Sequence, residues 1–133
     1  MSKLILVVDD YEDNLQILRD LLASVDYNVI EARDGEAALV MAKLRRPDLI
    51  VMDVQLPLMD GCEAIRRIRS DPDLKSIPVI AVTSHAHGDE ELKVRAAGCS
   101  AYIAKPYSPR QLLALIKQLL TAGPAAAAPL PGS

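Results

Sequence analysis

An α/β fold, built on a parallel sheet with helices on both faces, is what this sequence predicts. Three observations carry it. Short apolar runs alternate five times with stretches of helical periodicity. The runs are continuous in the manner of fully buried strands. The connections between them are short, which suits strand–helix–strand units. With 133 residues the chain suits one domain. Half of the residues are apolar, but there is no Trp or Phe and only four Tyr, so the core must be aliphatic.

Leu4-Ile5-Leu6-Val7-Val8 reads as the first strand and ends in Asp9-Asp10. Leu15, Leu18 and Leu22 follow at helical spacing, with Ile17, Leu21 and Val25 widening the stripe. Glu12 and Asp13 fall in the first turn, where negative charge suits the helix dipole. Asn28 to Ala32 reads as a second strand. Asp34 then caps a helix that runs to about Arg45 and is stopped by Pro47. Asp48 to Asp53 is the central strand, and Pro57 and Asp60-Gly61 bound the loop after it. A helix follows from Gly61 to Arg69, and Asp71-Pro72 ends that region. Pro78 to Val82 is the fourth run and leads into Thr83-Ser84. Asp89, Glu90 and Glu91 open a helix closed by Lys93, Arg95 and Gly98. Ser100 to Ala104 is the last strand and leads into Lys105-Pro106. Ser108 or Pro109 opens the final helix, whose stripe uses Leu112, Leu115, Ile116 and Leu119.

Residues 1–121 therefore form the domain. Residues 122–133 are an Ala/Pro-rich tail without charge, expected to be a flexible terminus, the start of a linker or a remnant of cloning. Fifteen basic and eighteen acidic residues leave a net charge of −3, which gives no support for nucleic-acid binding through a basic surface. Arg66, Arg67 and Arg69 are most simply a solvated helix face. Cys62 and Cys99 have no zinc or redox spacing and read as free thiols of a reducing cytoplasm. The apolar run Leu4 to Val8 is too short for a membrane span or a signal-peptide core. These features predict a cytoplasmic protein.

The strand ends carry the chemistry. In a parallel sheet Asp9, Asp10, Asp53, Thr83 and Lys105 all lie on one edge, where open sheets of this class bind ligands. Three carboxylates in one pocket repel each other and call for a hard divalent cation, Mg²⁺ where phosphate is also bound. Lys105 and Thr83 add a positive charge and a hydroxyl donor, a set that suits a phosphoryl group. A carboxylate can be the nucleophile and form an acyl phosphate, and Asp53 is central to the group. Asp9 and Asp10 would then hold the metal. Plainer readings exist for each residue: Asp9 and Asp10 as helix caps, Lys105 as a surface lysine, Thr83 as a strand former. Their coincidence at four strand ends is what argues for a site.

Four motifs in this order complete the picture: Val8-Asp9-Asp10, Met52-Asp53-Val54-Gln55-Leu56-Pro57 with Met59-Asp60-Gly61, Val82-Thr83, and Tyr102-Ile103-Ala104-Lys105-Pro106. Over residues 3 to 121 the chain resembles the receiver domain of bacterial two-component response regulators, CheY-like in type. It is most similar to their small stand-alone members of the DivK type. The resemblance implies a doubly wound five-stranded parallel sheet of order 2-1-3-4-5, the known arrangement of CheY. It implies that Asp53 accepts phosphate from a phosphohistidine on a sensor histidine kinase or histidine phosphotransfer protein. Mg²⁺ would be held by Asp10 and Asp53 directly, by Asp9 through water and by the backbone carbonyl of Gln55. Lys105 would contact the phosphoryl oxygens, and the Lys105-Pro106 bond would be cis. Thr83 and Tyr102 match the family's switch pair. Gln55 and His85 stand where the family varies and would tune the lifetime of the phosphoryl group. His85 and His87 read as solvent-facing loop residues rather than a metal pair.

Such a protein is no enzyme beyond its own phosphorylation and slow dephosphorylation. Two rival functions fit less well. A phosphate-ester hydrolase of the haloacid-dehalogenase type needs Asp-x-Asp after the first strand, whereas this chain has Asp9-Asp10-Tyr11. A pure scaffold would not need all five polar site residues. The P-loop pattern is absent. The phosphodonor is expected beside Asn14, Leu15 and Leu18 and the loop at Pro106-Tyr107. The output is expected through protein–protein contacts with a downstream target, on a face around Glu90 to Ala97, Tyr102 and the last helix.

Overall fold

Three of the apolar runs are buried along their whole length or nearly so, and these form the middle of the sheet. In the computed structural model, which describes residues 2–84 and 88–122, the strands are β1 (Leu4–Val8), β2 (Asn28–Ala32), β3 (Leu49–Asp53), β4 (Val79–Thr83) and β5 (Ala101–Ala104). They pair in parallel in the order β2-β1-β3-β4-β5. Every residue of β3 and β4 is buried. The edge strands β2 and β5 are only partly covered, which is why their sequences carry Asn28, Glu31 and Tyr102 among the apolar residues. Ile50 pairs with Leu6 on one side and Val79 on the other, and Asp53 pairs with Val82. The register therefore brings the ends of β1, β3, β4 and β5 to one edge.

The helices are α1 (Glu12–Ala23), α2 (Gly35–Arg45), α3 (Gly61–Ser70), α4 (Asp89–Ala97) and α5 (Pro109–Ala122). Their ends follow local chemistry. Asp34 caps α2 by accepting from the Ala37 N–H at 2.8 Å, and Asp60 caps α3 by accepting from Glu63 N–H at 2.9 Å. Ser108 accepts from Gln111 N–H at 3.0 Å, so Ser108 is the cap and Pro109 the first helical residue of α5. Gly98 closes α4 with φ of 104°, a left-handed conformation that favours glycine. The Lys105-Pro106 peptide is cis, as the family resemblance implies.

Three readings of the sequence need correction. Ile17 and Val25 do not widen the core stripe of α1: they are 61% and 43% exposed. Ile17 lies two positions from Leu15, about 200° around the helix, and Val25 lies beyond the last turn. Leu15 and Leu18 are buried in the core and so offer nothing to a partner. Arg69 is not part of a solvated face. Its guanidinium donates to the carbonyls of Gly98 at 2.7 Å, Ile77 at 2.8 Å and Lys75 at 3.1 Å, and to Ser100 Oγ at 3.1 Å. Arg66 and Arg67 do face solvent and pair with Glu63. The expected tail, residues 122–133, lies outside the described residues apart from Ala122, where α5 ends.

Candidate functional site

Asp53 is the last residue of β3, and the chain leaves the sheet immediately after it. The residue is 5% exposed. One carboxylate oxygen accepts from Gln55 N–H at 2.8 Å, which turns the chain out of the strand. The other accepts from Lys105 Nζ at 2.8 Å. The first residue of α3, Gly61, packs directly on this exit. A Cβ there would lie 2.4 Å from the Asp53 carbonyl oxygen and 2.6 Å from Val54 Cα. Only glycine allows α3 to start this close to the end of β3.

Asp9, at the end of β1, is equally buried. It accepts from Tyr11 N–H at 3.0 Å and from Asn14 Nδ2 at 3.1 Å. Asp10 beside it is exposed. Each of Asp9, Asp10 and Asp53 offers a carboxylate oxygen, and these oxygens lie within 4.8 Å of one another. Burial, with the Asp53 charge adding to it, pushes the Asp9 carboxyl above its usual range despite the bonds from Tyr11 and Asn14 and the charge of Lys105. Burial works against the Lys105 ammonium too, but the hydrogen bond to Asp53 and the charges of Asp53, Asp9 and Asp10 outweigh it and hold its pKa above the ordinary value. One lysine against three carboxylates leaves an excess of negative charge. An all-oxygen cluster of this kind fits a hard divalent cation.

Thr83 ends β4 and is fully buried. Its hydroxyl donates to a carboxylate oxygen of Glu90 in the first turn of α4. Its carbonyl accepts from Lys105 N–H at 2.8 Å, which ties the ends of β4 and β5 together. Tyr102 on β5 is half-buried, with the Arg95 guanidinium 5.3 Å from its ring centroid and donating to its hydroxyl at 3.4 Å. Gln55 is exposed, and its side-chain oxygen accepts from Ser84 Oγ at 3.1 Å. Pro106 follows Lys105 at the rim. His85 and His87, expected in the loop after β4, lie outside the described residues.

The sheet edge with its three carboxylates and one lysine belongs to a sequence that matches a family model described as "Response regulator receiver domain" over residues 5–117. The chain belongs to the response regulator receiver family. The receiver is 42% identical to the polar-differentiation response regulator DivK of Brucella anthropi, over 90% of this chain and 98% of that protein. Among solved structures it is similar to the chemotaxis response regulator CheY4 of Vibrio cholerae, with TM-score 0.84, 29% identity and coverage of 89% and 98% of the two chains. It is also similar to the receiver domain of sensor histidine kinase PA1611 from Pseudomonas aeruginosa PAO1, with TM-score 0.85, 31% identity and coverage of 91% and 99%. That structure has a magnesium ion coordinated in its active-site cleft. No helix among the described residues of the receiver is long and apolar enough to cross a membrane.

Two residues of the receiver site are not evident from the sequence. Asn14 orients Asp9, although its sequence position suggests a partner contact. Glu90 holds Thr83, although a first-turn acid is fully accounted for by the helix dipole. Neither contact leaves a local sequence signal, because each depends on where a helix docks.

Proposed function

We propose that this receiver takes a phosphoryl group onto Asp53 from a phosphohistidine of a sensor histidine kinase or histidine phosphotransfer protein, in a Mg²⁺-dependent reaction, and signals through altered contacts with a protein target. The observation that carries the reading is the Lys105–Asp53 bond set against a cluster of three carboxylates at one sheet edge. The family membership supports it.

Asp9, Asp10 and Asp53, with the backbone of Gln55, would hold the cation. When bound, Mg²⁺ supplies charge compensation for the phosphoryl oxygens. The Asp53 carboxylate attacks phosphorus, the P–N bond breaks, and its electron pair leaves with the imidazole. The Gln55 N–H bond fixes one Asp53 oxygen, so the carboxylate is oriented before the donor arrives. Lys105 then exchanges its Asp53 oxygen for a phosphoryl oxygen. Thr83 turns its hydroxyl to the new group, and Tyr102 responds on the adjacent strand. Gln55 and His85 would set how long the acyl phosphate survives. The two free, buried cysteines agree with a reducing cytoplasm. The output face would comprise α4, Tyr102 and α5, with no nucleic acid or membrane involved.

Incubation with Mg²⁺ and acetyl phosphate tests the reading. Intact-mass measurement should show one phosphoryl adduct that needs Mg²⁺ and is lost in Asp53→Asn. An adduct of equal yield in the variant, or in excess chelator, contradicts it.

A further inference from the structure

The Thr83 hydroxyl is already engaged. It donates to Glu90, seven residues on, at the start of α4. The next residue, Glu91, bonds Arg95 at 3.0 Å, and Arg95 covers the ring of Tyr102. Two adjacent acids of one helical turn thus hold the two residues read as the switch pair. Glu90 also lines a cavity of about 320 Å³ together with Gln55, Asp60, Arg66 and Lys93. A carboxylate released from Thr83 would find Lys93 on the wall of that cavity, with Arg66 beside it paired to Glu63 and Asp60 capping α3.

We propose that Glu90 is a latch: its carboxylate competes with the phosphoryl group for the Thr83 hydroxyl and so holds the unphosphorylated conformation. The inference rests on Asp53 being the phosphoacceptor. Thr83 has one proton to donate, so a bond to a phosphoryl oxygen requires that the bond to Glu90 be given up. A phosphoryl group on Asp53 also adds negative charge at the same sheet edge, which repels Glu90 toward Lys93. A ligand shifts such an equilibrium only by its differential affinity for the two states, and the latch sets how much of that affinity is consumed. Glu90 is a positioning residue, since it acts through Thr83.

Beryllofluoride, a phosphoryl mimic, with Mg²⁺ is the probe. It is titrated into the full chain and read by amide chemical shifts. Glu90→Ala should tighten binding roughly tenfold, the scale of one charge-assisted hydrogen bond. Glu90→Gln keeps an acceptor oxygen without the charge and should give a smaller gain. In a Thr83→Ala background Glu90→Ala should change affinity by about twofold or less, the remainder being screened charge repulsion. Wild-type binding with no gain in Glu90→Ala overturns the latch, as does a tenfold gain that persists without the Thr83 hydroxyl. If Glu90→Ala loses its dispersed spectrum, Glu90→Gln decides: a gain supports the latch and no gain overturns it. Absence of beryllofluoride binding in the wild type overturns the reading of Asp53 together with the latch.

Discussion

Asp9 shows what one buried carboxylate costs. It is raised in pKa chiefly by burial and then by the charge of Asp53, so its ionised form opposes folding at neutral pH. Asp9→Asn removes that charge while an amide oxygen can still accept from Tyr11 N–H. In metal-free buffer the variant should be more stable by about 1 kcal/mol, a few degrees in Tm for a domain of this size. It should also lose most of the stabilisation that Mg²⁺ confers on the wild type. Thermal melts with and without Mg²⁺ check both halves, and an unchanged Mg²⁺ increment would remove Asp9 from the metal set. Cys99 makes a second case at this scale. Burial first, with the Cys62 charge adding to it, pushes its thiol up to about 11. A folded pKa above the ordinary 9.0 means that the native state holds this proton more tightly than the unfolded chain. The contribution to stability is whole below pH 9 and declines as pH rises from 9 toward 11. At pH 8 only about one Cys99 in a thousand would be thiolate, so iodoacetamide should leave it unlabelled until denaturant is added. Rapid native labelling would contradict this.

Elements are legible in the sequence where their signals are local. The apolar runs, the Asp34 cap and the glycine past α4 are written in adjacent residues, and all are found as expected. Contacts between elements are not. Arg66, Arg67 and Arg69 look alike in the sequence, yet Arg69 sits four residues after the buried Ile65 and its guanidinium ties α3 to the β4 entry and the α4–β5 loop. Arg69→Ala should strip partners from the Gly98 and Ile77 carbonyls and cost about 2–4 kcal/mol. Arg69→Lys should recover little, because one ammonium cannot reproduce the planar fork. Denaturant unfolding measures both, and a loss below about 0.5 kcal/mol in Arg69→Ala would refute the role. Gly61 couples element to site. Adding a Cβ there forces α3 away from backbone atoms of Asp53 and Val54, so Gly61→Ala should cost about 1–3 kcal/mol. It should also slow labelling by acetyl phosphate, because the end of β3 that carries Asp53 moves. Unchanged stability and labelling rate would show that the approach is not needed.

On the scale of the whole molecule, the parallel register brings five scattered residues to one sheet edge. Asp9, Asp10, Asp53, Thr83 and Lys105 span nearly a hundred positions of sequence, yet each lies at or just after a strand end. That is why their convergence is legible from the chain alone, while Asn14 and Glu90, which reach in from helices, leave no such trace. The same connectivity predicts how a signal spreads. Thr83 and Tyr102 lie on neighbouring strands that both contact α4 residues, so beryllofluoride should move amide resonances through residues 90–104, and Thr83→Ala should blunt that spread. Shifts confined to the pocket in both proteins would contradict such coupling. The central claim is that Asp53 is the phosphoacceptor, and its most direct test is to locate the covalent bond. After Mg²⁺ and acetyl phosphate treatment, borohydride reduction converts an acyl-phosphorylated aspartate to homoserine, and peptide sequencing by mass spectrometry then reads the position. Homoserine at position 53, absent without phosphodonor, is the predicted result; homoserine at position 9 or 10, or a phosphoryl group on a serine or threonine instead, would contradict the account.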